Sequence, residues 1–173
     1  GLQKITLELG GSDPCIVLAD ADLDAAAVGV RVGRSFNCGQ ACLATKRIFV
    51  EESVYDAFLE KIAAQAGKMK PGNGMDPASR MGPMNTATQR DEVEAQVRDA
   101  LEKGARIVYG GGRPEGDHLD RGNFLNPVIL ADVPPGSRML TAEVFGPALP
   151  VVKLKELDAA ILLAKVSPLG HGF

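Results

Sequence analysis

Short apolar runs of β-prone residues alternate along this chain with longer stretches of helical periodicity. That alternation limits the fold more than any other feature. Cys15-Ile16-Val17-Leu18, Arg47-Ile48-Phe49-Val50, Arg106-Ile107-Val108-Tyr109, Pro127-Val128-Ile129-Leu130 and Leu149-Pro150-Val151-Val152 read as strands. Ile5 to Leu9, alternating before Gly10-Gly11, reads as a further strand ending in a tight turn. Between these runs, Leu23, Ala26, Ala27, Val30 and Phe36 share one face of a helix capped by Asp20 or Asp22. Val54, Phe58, Leu59, Ile62 and Ala66 form the stripe of a helix opened near Ser53 and stopped at Gly67. Val93, Val97, Ala100 and Leu101 line a third, opened by Thr86-Ala87-Thr88-Gln89 and closed by Gly104. Leu157 to Ala164 reads as a last helix, and 70–83 and 113–124 as loops. Strands alternating with helices predict an α/β layered domain, a largely parallel twisted sheet flanked by helices. No internal repeat or domain boundary interrupts residues 1–173.

Composition narrows the function classes. An apolar share of 45% and a charged share of 24% over 173 residues are ordinary for a globular chain that buries a core. A net charge of -3 supplies no electrostatic reason for a nucleic-acid partner, and 5% aromatics with no Trp leave few stacking platforms for bases. No apolar run reaches bilayer-spanning length, so no membrane partner is expected. Three cysteines at uneven spacing are not a disulfide framework and point to a reducing compartment. With no leader visible at Gly1-Leu2-Gln3-Lys4, the expectation is a cytoplasmic protein; the missing initiator Met points to a piece of a longer or processed chain.

Two segments carry groups able to do chemistry. In Ser35-Phe36-Asn37-Cys38-Gly39-Gln40-Ala41-Cys42, Cys42 is either a small buried core residue or a nucleophile after a Gly-Gln turn. Backbone N–H groups of Gly39-Gln40 beside the sulfur would hold a developing oxyanion. In Leu7-Glu8-Leu9-Gly10-Gly11, Glu8 is either the solvent face of an edge strand or a partly desolvated base whose raised pKa suits it to activate water. Cys38 and Cys42 could chelate a metal or form a disulfide, but no second pair or His completes a zinc set, so no metal is expected. Cys15, Cys38 and Arg47 read as structural, and His118 and His171 as surface or terminal residues. Gly110-Gly111-Gly112 lacks the G-x-G-x-x-G spacing of a dinucleotide turn.

These motifs resemble those of one family. Leu7-Glu8-Leu9-Gly10-Gly11 is similar to the glutamate signature of the aldehyde dehydrogenase superfamily, and Phe36-Asn37-Cys38-Gly39-Gln40-Ala41-Cys42 to its cysteine signature. The 34-residue gap between Glu8 and Cys42 agrees with the family's spacing. Glu143-Val144-Phe145-Gly146-Pro147 resembles a third signature, in which the Glu holds the nicotinamide-side ribose and the Phe lines the nicotinamide pocket. The resemblance extends over nearly the whole chain, including Pro71-Gly72-Asn73-Gly74 and Gly82-Pro83. Cys42-Leu43-Ala44-Thr45-Lys46-Arg47 and Met84 through Glu92-Val93 are similar to succinate-semialdehyde dehydrogenases.

The resemblance implies an oxidative acyl-enzyme mechanism. Cys42 would attack an aldehyde to form a thiohemiacetal, hydride would pass to NAD or NADP, and water activated by Glu8 would release a carboxylic acid. The Cys42 N–H would form half of an oxyanion hole. Glu143, Phe145 and Gln89 would be cofactor-binding residues, with Gln89 alternatively only a capping partner of Thr86. The full-length enzyme would be a homo-oligomer acting on a small aldehyde.

The chain also departs from the family pattern. The cofactor-binding half that precedes the Glu8 segment has no counterpart, and Ser167-Pro168-Leu169-Gly170-His171 resembles the family's segment only in part. The expectation is a partial catalytic domain, 1–173, incomplete at both ends and with weak or absent cofactor binding and activity by itself. The competing readings are a coenzyme A-acylating aldehyde dehydrogenase, against which Glu8 argues, a non-catalytic interaction module, and a redox sensor using Cys38 and Cys42.

Overall fold

The computed structural model describes residues 2–7, 9–116 and 119–165, so Glu8, His118 and His171 lie outside the described residues. Five strands, β1 (Asp13–Val17), β2 (Thr45–Glu51), β3 (Arg106–Gly110), β4 (Val128–Ala131) and β5 (Ala148–Leu154), form one sheet in the order β1-β2-β5-β4-β3. Neighbours are parallel except β3, which runs antiparallel to β4 at one edge. The helices are α1 (Leu23–Ser35), α2 (Tyr55–Ala66), α3 (Ala87–Glu102), the short α4 (Arg138–Thr141) and α5 (Leu157–Lys165). The α/β layered architecture with a largely parallel sheet is therefore as the alternating pattern predicts.

The two-residue period of each central strand sorts its side chains into two cores. Ile48 and Val50 of β2, Leu149 and Val151 of β5 and Ile129 of β4 join Ala27 and Val30 of α1 and Phe58 and Ile62 of α2. Phe49, Val152 and Leu130, from the alternate positions, join Val93 and Ala100 of α3, Met139 of α4 and Ala160 and Ala164 of α5. Strands covered on both faces must be apolar throughout, which is why they read as continuous runs rather than alternating ones. Among the described residues no helix is long and apolar enough to cross a membrane.

Capping follows the expected chemistry at two helices. Asp22 accepts from the Asp24 and Ala25 amides at 3.0 and 3.1 Å, and Thr86 from the Gln89 amide at 3.1 Å. Three local expectations fail. Ser53 does not cap α2; it lies in a 3-10 turn and donates to Glu51 at 3.1 Å, while burial of Tyr55 anchors the helix start. Phe36 is 62% exposed, because α1 ends at Ser35 and the backbone turns extended there, swinging the ring off the helical face. The strand expected over Ile5 to Leu9 does not form in the described residues; Ile5, Leu7 and Leu9 are exposed and no described strand supplies its hydrogen bonds.

Tyr55 shows how one polar group is accommodated in the core. Its hydroxyl accepts from the Asp132 amide at 2.9 Å and lies 3.2 Å from Asp132 Oδ1 and 3.3 Å from the Val151 carbonyl. Burial is the main reason its pKa is pushed up to about 12. Tyr55→Phe strands the Asp132 amide, so the free energy of unfolding is expected to drop by about 1–3 kcal/mol, read by urea denaturation.

Candidate active site

Three segments singled out by sequence precede three neighbouring parallel strands. Gly10 stands three residues ahead of β1, Cys42 three ahead of β2 and Phe145 three ahead of β5. Asp13 pairs with Thr45, and Ile48 with Val151, so the three segments emerge side by side at the amino ends of these strands. Gly10, Cys42, Glu143 and Phe145, with Gln40, Ala41 and Gln89, line one cleft of about 620 Å³. The sheet's register thus brings Gly10, Cys42, Glu143 and Phe145 to one edge, and Gln89 borders the same cleft from the start of α3. Glu8, the expected base, lies outside the described residues.

The loop that presents Cys42 is held in an uncommon backbone conformation. Asn37, Cys38 and Gly39 have φ values of 48°, 59° and 73°, three successive left-handed residues. Asn tolerates this region through its short polar side chain and Gly through its missing Cβ, whereas Cys is disfavoured there. At Gly39 a Cβ would also run into the Gly146 carbonyl and the Arg34 guanidinium. The turn is secured by the Gln40 amide donating to the Asn37 carbonyl at 3.0 Å and by Asn37 Nδ2 donating to the Gln40 carbonyl at 2.9 Å. The Gln40 side chain donates to Pro83 O at 3.3 Å and accepts from the Asn85 amide at 2.8 Å, tying the loop to residues 83–85. The Gln40 N–H is therefore spent inside the turn and does not serve as an oxyanion donor. The Cys42 N–H donates to no described residue.

The three cysteines are all free and differ in setting. Cys42 is exposed in the cleft. Cys38 is 3% exposed, its thiol 3.8 Å from Met84 Sδ, and burial pushes it up to about 12 against the opposing pull of Arg34. Burial also raises Cys15. Among the described residues no group of three His, Cys, Asp or Glu side chains gathers in a metal-holding arrangement.

Glu143 and Phe145 reach the cleft through a buried cation. Lys46, at 0% exposure, donates to the Gly11 carbonyl at 2.9 Å, to the Cys42 carbonyl at 3.0 Å and to Glu143 Oε1, and its Nζ lies 5.6 Å from the Phe145 ring centroid. Glu143 Oε1 also accepts from the Gly11 amide at 3.2 Å, while Oε2 has no hydrogen-bond partner among the described residues. Gly10, at φ 76°, lies against Oε2, where any side chain would collide with the carboxylate. Gln96 of α3 holds the Glu143 carbonyl at 3.0 Å. Arg34, 5% exposed, donates to Thr45 O at 3.2 Å, Val144 O at 2.8 Å and Gly146 O, and burial draws its pKa down to about 10. Arg47 holds Ser12 O at 2.6 Å and Ala164 O at 2.9 Å, a structural placement. Gln89 is partly buried in the first turn of α3; it borders the cleft, and its amide donates to the Thr86 hydroxyl that caps the helix.

Lys46, Arg34 and Gln96 are not anticipated as site residues by the sequence patterns. For Lys46 the available signal was a pair of adjacent cations, Lys46 and Arg47, opening a strand whose middle is buried, since buried lysine and arginine demand partners.

Residues 1–172 match the profile of the Aldehyde dehydrogenase family. The chain belongs to this family. It is 42% identical over 171 residues to a succinate-semialdehyde dehydrogenase (NADP+) of Deinococcus radiodurans, covering 99% of this chain and 35% of that protein. The crystal structure of an E. coli NADP-dependent enzyme superposes with a TM-score of 0.87 at 39% identity, over 92% of this chain and 32% of that one. Betaine aldehyde dehydrogenase from Staphylococcus aureus, solved in complex with NAD+, gives a TM-score of 0.87 at 36% identity over the same shares, 92% and 32%. The chain thus spans about a third of the length of the aldehyde dehydrogenases it matches.

Two outcomes follow from the cysteine loop. Gly39→Ala should lower the free energy of unfolding by at least the left-handed penalty of about 1–2 kcal/mol, measured by urea denaturation. The folded Cys38 thiol keeps its proton while the unfolded thiol loses it near 9.0, so its contribution to stability is whole below that pH and is lost as pH climbs toward about 12. Cys38→Ala should therefore show a shallower fall of unfolding free energy with pH across that window.

Proposed function

We propose that this chain forms the nucleophile-bearing catalytic part of an NAD(P)-dependent aldehyde dehydrogenase that converts an aldehyde to a carboxylic acid. The observation that carries this reading is the meeting of exposed Cys42 with Glu143, Phe145 and Gln89 in one cleft. The residues fit the nicotinamide end of the cofactor. Glu143 Oε2, without a hydrogen-bond partner among the described residues, lies beside a glycine that leaves it room, which suits a hydroxyl donor of a ribose, and Phe145 offers a flat apolar wall. The nicotinamide ring, when bound, accepts the hydride.

Each other step falls to this chain's own atoms. The Cys42 thiolate attacks the aldehyde carbon, forming the C–S bond of a thiohemiacetal whose oxyanion is met by the Cys42 N–H. Loss of hydride from that carbon leaves a thioester. Glu8 takes a proton from water, the resulting hydroxide attacks the thioester, and the C–S bond breaks to return the thiolate and release the acid. Similarity to a succinate-semialdehyde dehydrogenase points to an aldehyde that carries a carboxylate.

The test is site-resolved thiol labelling. Iodoacetamide should modify Cys42 at least about tenfold faster than Cys15 or Cys38 near neutral pH, and succinate semialdehyde should slow that modification reversibly. Equal rates at the three cysteines, or no protection by the aldehyde, would overturn the proposal.

A further inference from the structure

We propose that Lys46 is a positioning residue that couples the Glu143 carboxylate to the backbone of Cys42, so that the state of the ribose-binding group is felt at the nucleophile. The inference rests on the reading of Cys42 as nucleophile and adds a residue to which neither the motifs nor the cleft lining gives a role.

The geometry is a three-point junction at a single atom. An ammonium has three N–H donors, and Lys46 directs them to three acceptors: the Gly11 carbonyl, the Cys42 carbonyl and Glu143 Oε1. At 0% exposure no water takes the place of a lost partner, so displacement of any one leaves a buried charged donor unsatisfied. The three acceptors belong to the segments ahead of β1, β2 and β5. Lys46 therefore holds the glycine turn, the cysteine loop and the carboxylate together at one atom. Because Oε1 is taken by Lys46 and the Gly11 amide, the junction also decides which oxygen stays available. A ligand drawing Glu143 toward the cleft would pull on Nζ, and through it on the Cys42–Leu43 peptide, whose carbonyl Nζ also holds.

A double-mutant cycle read at Cys42 separates this linkage from simple charge proximity. The iodoacetamide rate at Cys42 is measured in the 173-residue chain and in Glu143→Gln, Lys46→Met and the double variant. Coupling through Lys46 predicts that Glu143→Gln changes the rate at least about threefold when Lys46 is present and by less than about 1.5-fold when it is Met. The same factor in both backgrounds, the signature of through-space electrostatics alone, would overturn the proposal. If Lys46→Met loses its circular-dichroism signature of folding, Lys46→Leu, which likewise donates nothing, replaces it in the cycle under the same criterion. The ratios are read at Cys42 alone. Slow absolute labelling of Cys42 relative to Cys15 and Cys38 would defeat the nucleophile reading while leaving the coupling measurable.

Discussion

The parallel register of β1, β2 and β5 is the constraint on which the rest of this structure depends. Three neighbouring strands that run the same way begin at the same edge of the sheet, so whatever precedes each of them is brought to one place. Gly10, Cys42 and Phe145 each stand three residues before their strand. A slip of β2 by one residue along β5 would turn Phe49 into the core that now holds Ile48, while Val151 and Val152 stayed where they are, and would shift Cys42 relative to Glu143. The two apolar cores thus enforce the register, and the register assembles the cleft. Clefts in open parallel sheets commonly lie beyond the carboxyl ends of strands, whereas this one lies at the amino ends.

Buried cations lock that edge. Lys46, Arg34 and Arg47 are each almost wholly removed from water, and each has backbone carbonyls from distant segments as acceptors. Charged donors in such a setting are strongly destabilising when a partner is missing and strongly orienting when every partner is present. The loops ahead of the strands are therefore fixed relative to one another, although they lack regular secondary structure. The left-handed run at Asn37, Cys38 and Gly39 belongs to the same arrangement: its strain persists because Arg34, Gln40 and the buried Cys38 side chain over-determine it.

How much of this was legible in the sequence depends on the range of the interaction. The strands at 47–50, 127–130 and 149–152 were readable because a strand buried on both faces is apolar along most of its length, and those at 15–18 and 106–109, at the sheet's edges, because their β-branched and aromatic residues favour extended backbone. The caps at Asp22 and Thr86 were readable because their partners lie two or three residues away. Ser53 misled because the same local pattern fits a 3-10 turn, and the Ile5 to Leu9 alternation misled because a strand also needs a neighbour to pair with. Lys46, Arg34 and Gln96 were illegible as site residues: their acceptors lie 97, 110 and 47 residues away, and no local pattern marks a backbone carbonyl as a partner.

The sequence by itself determined the α/β class and the family signatures, and nominated the candidate reactive groups, because each is written in residue type and short spacing. The tertiary structure alone decided that Cys42 is exposed while Cys38 is buried four residues earlier, that Gln40 spends its N–H inside the turn, and that Glu143 keeps one oxygen without a partner among the described residues. Those outcomes turn on which groups lose water and which distant carbonyls come within hydrogen-bonding reach. Neither is settled until the strands have paired in register.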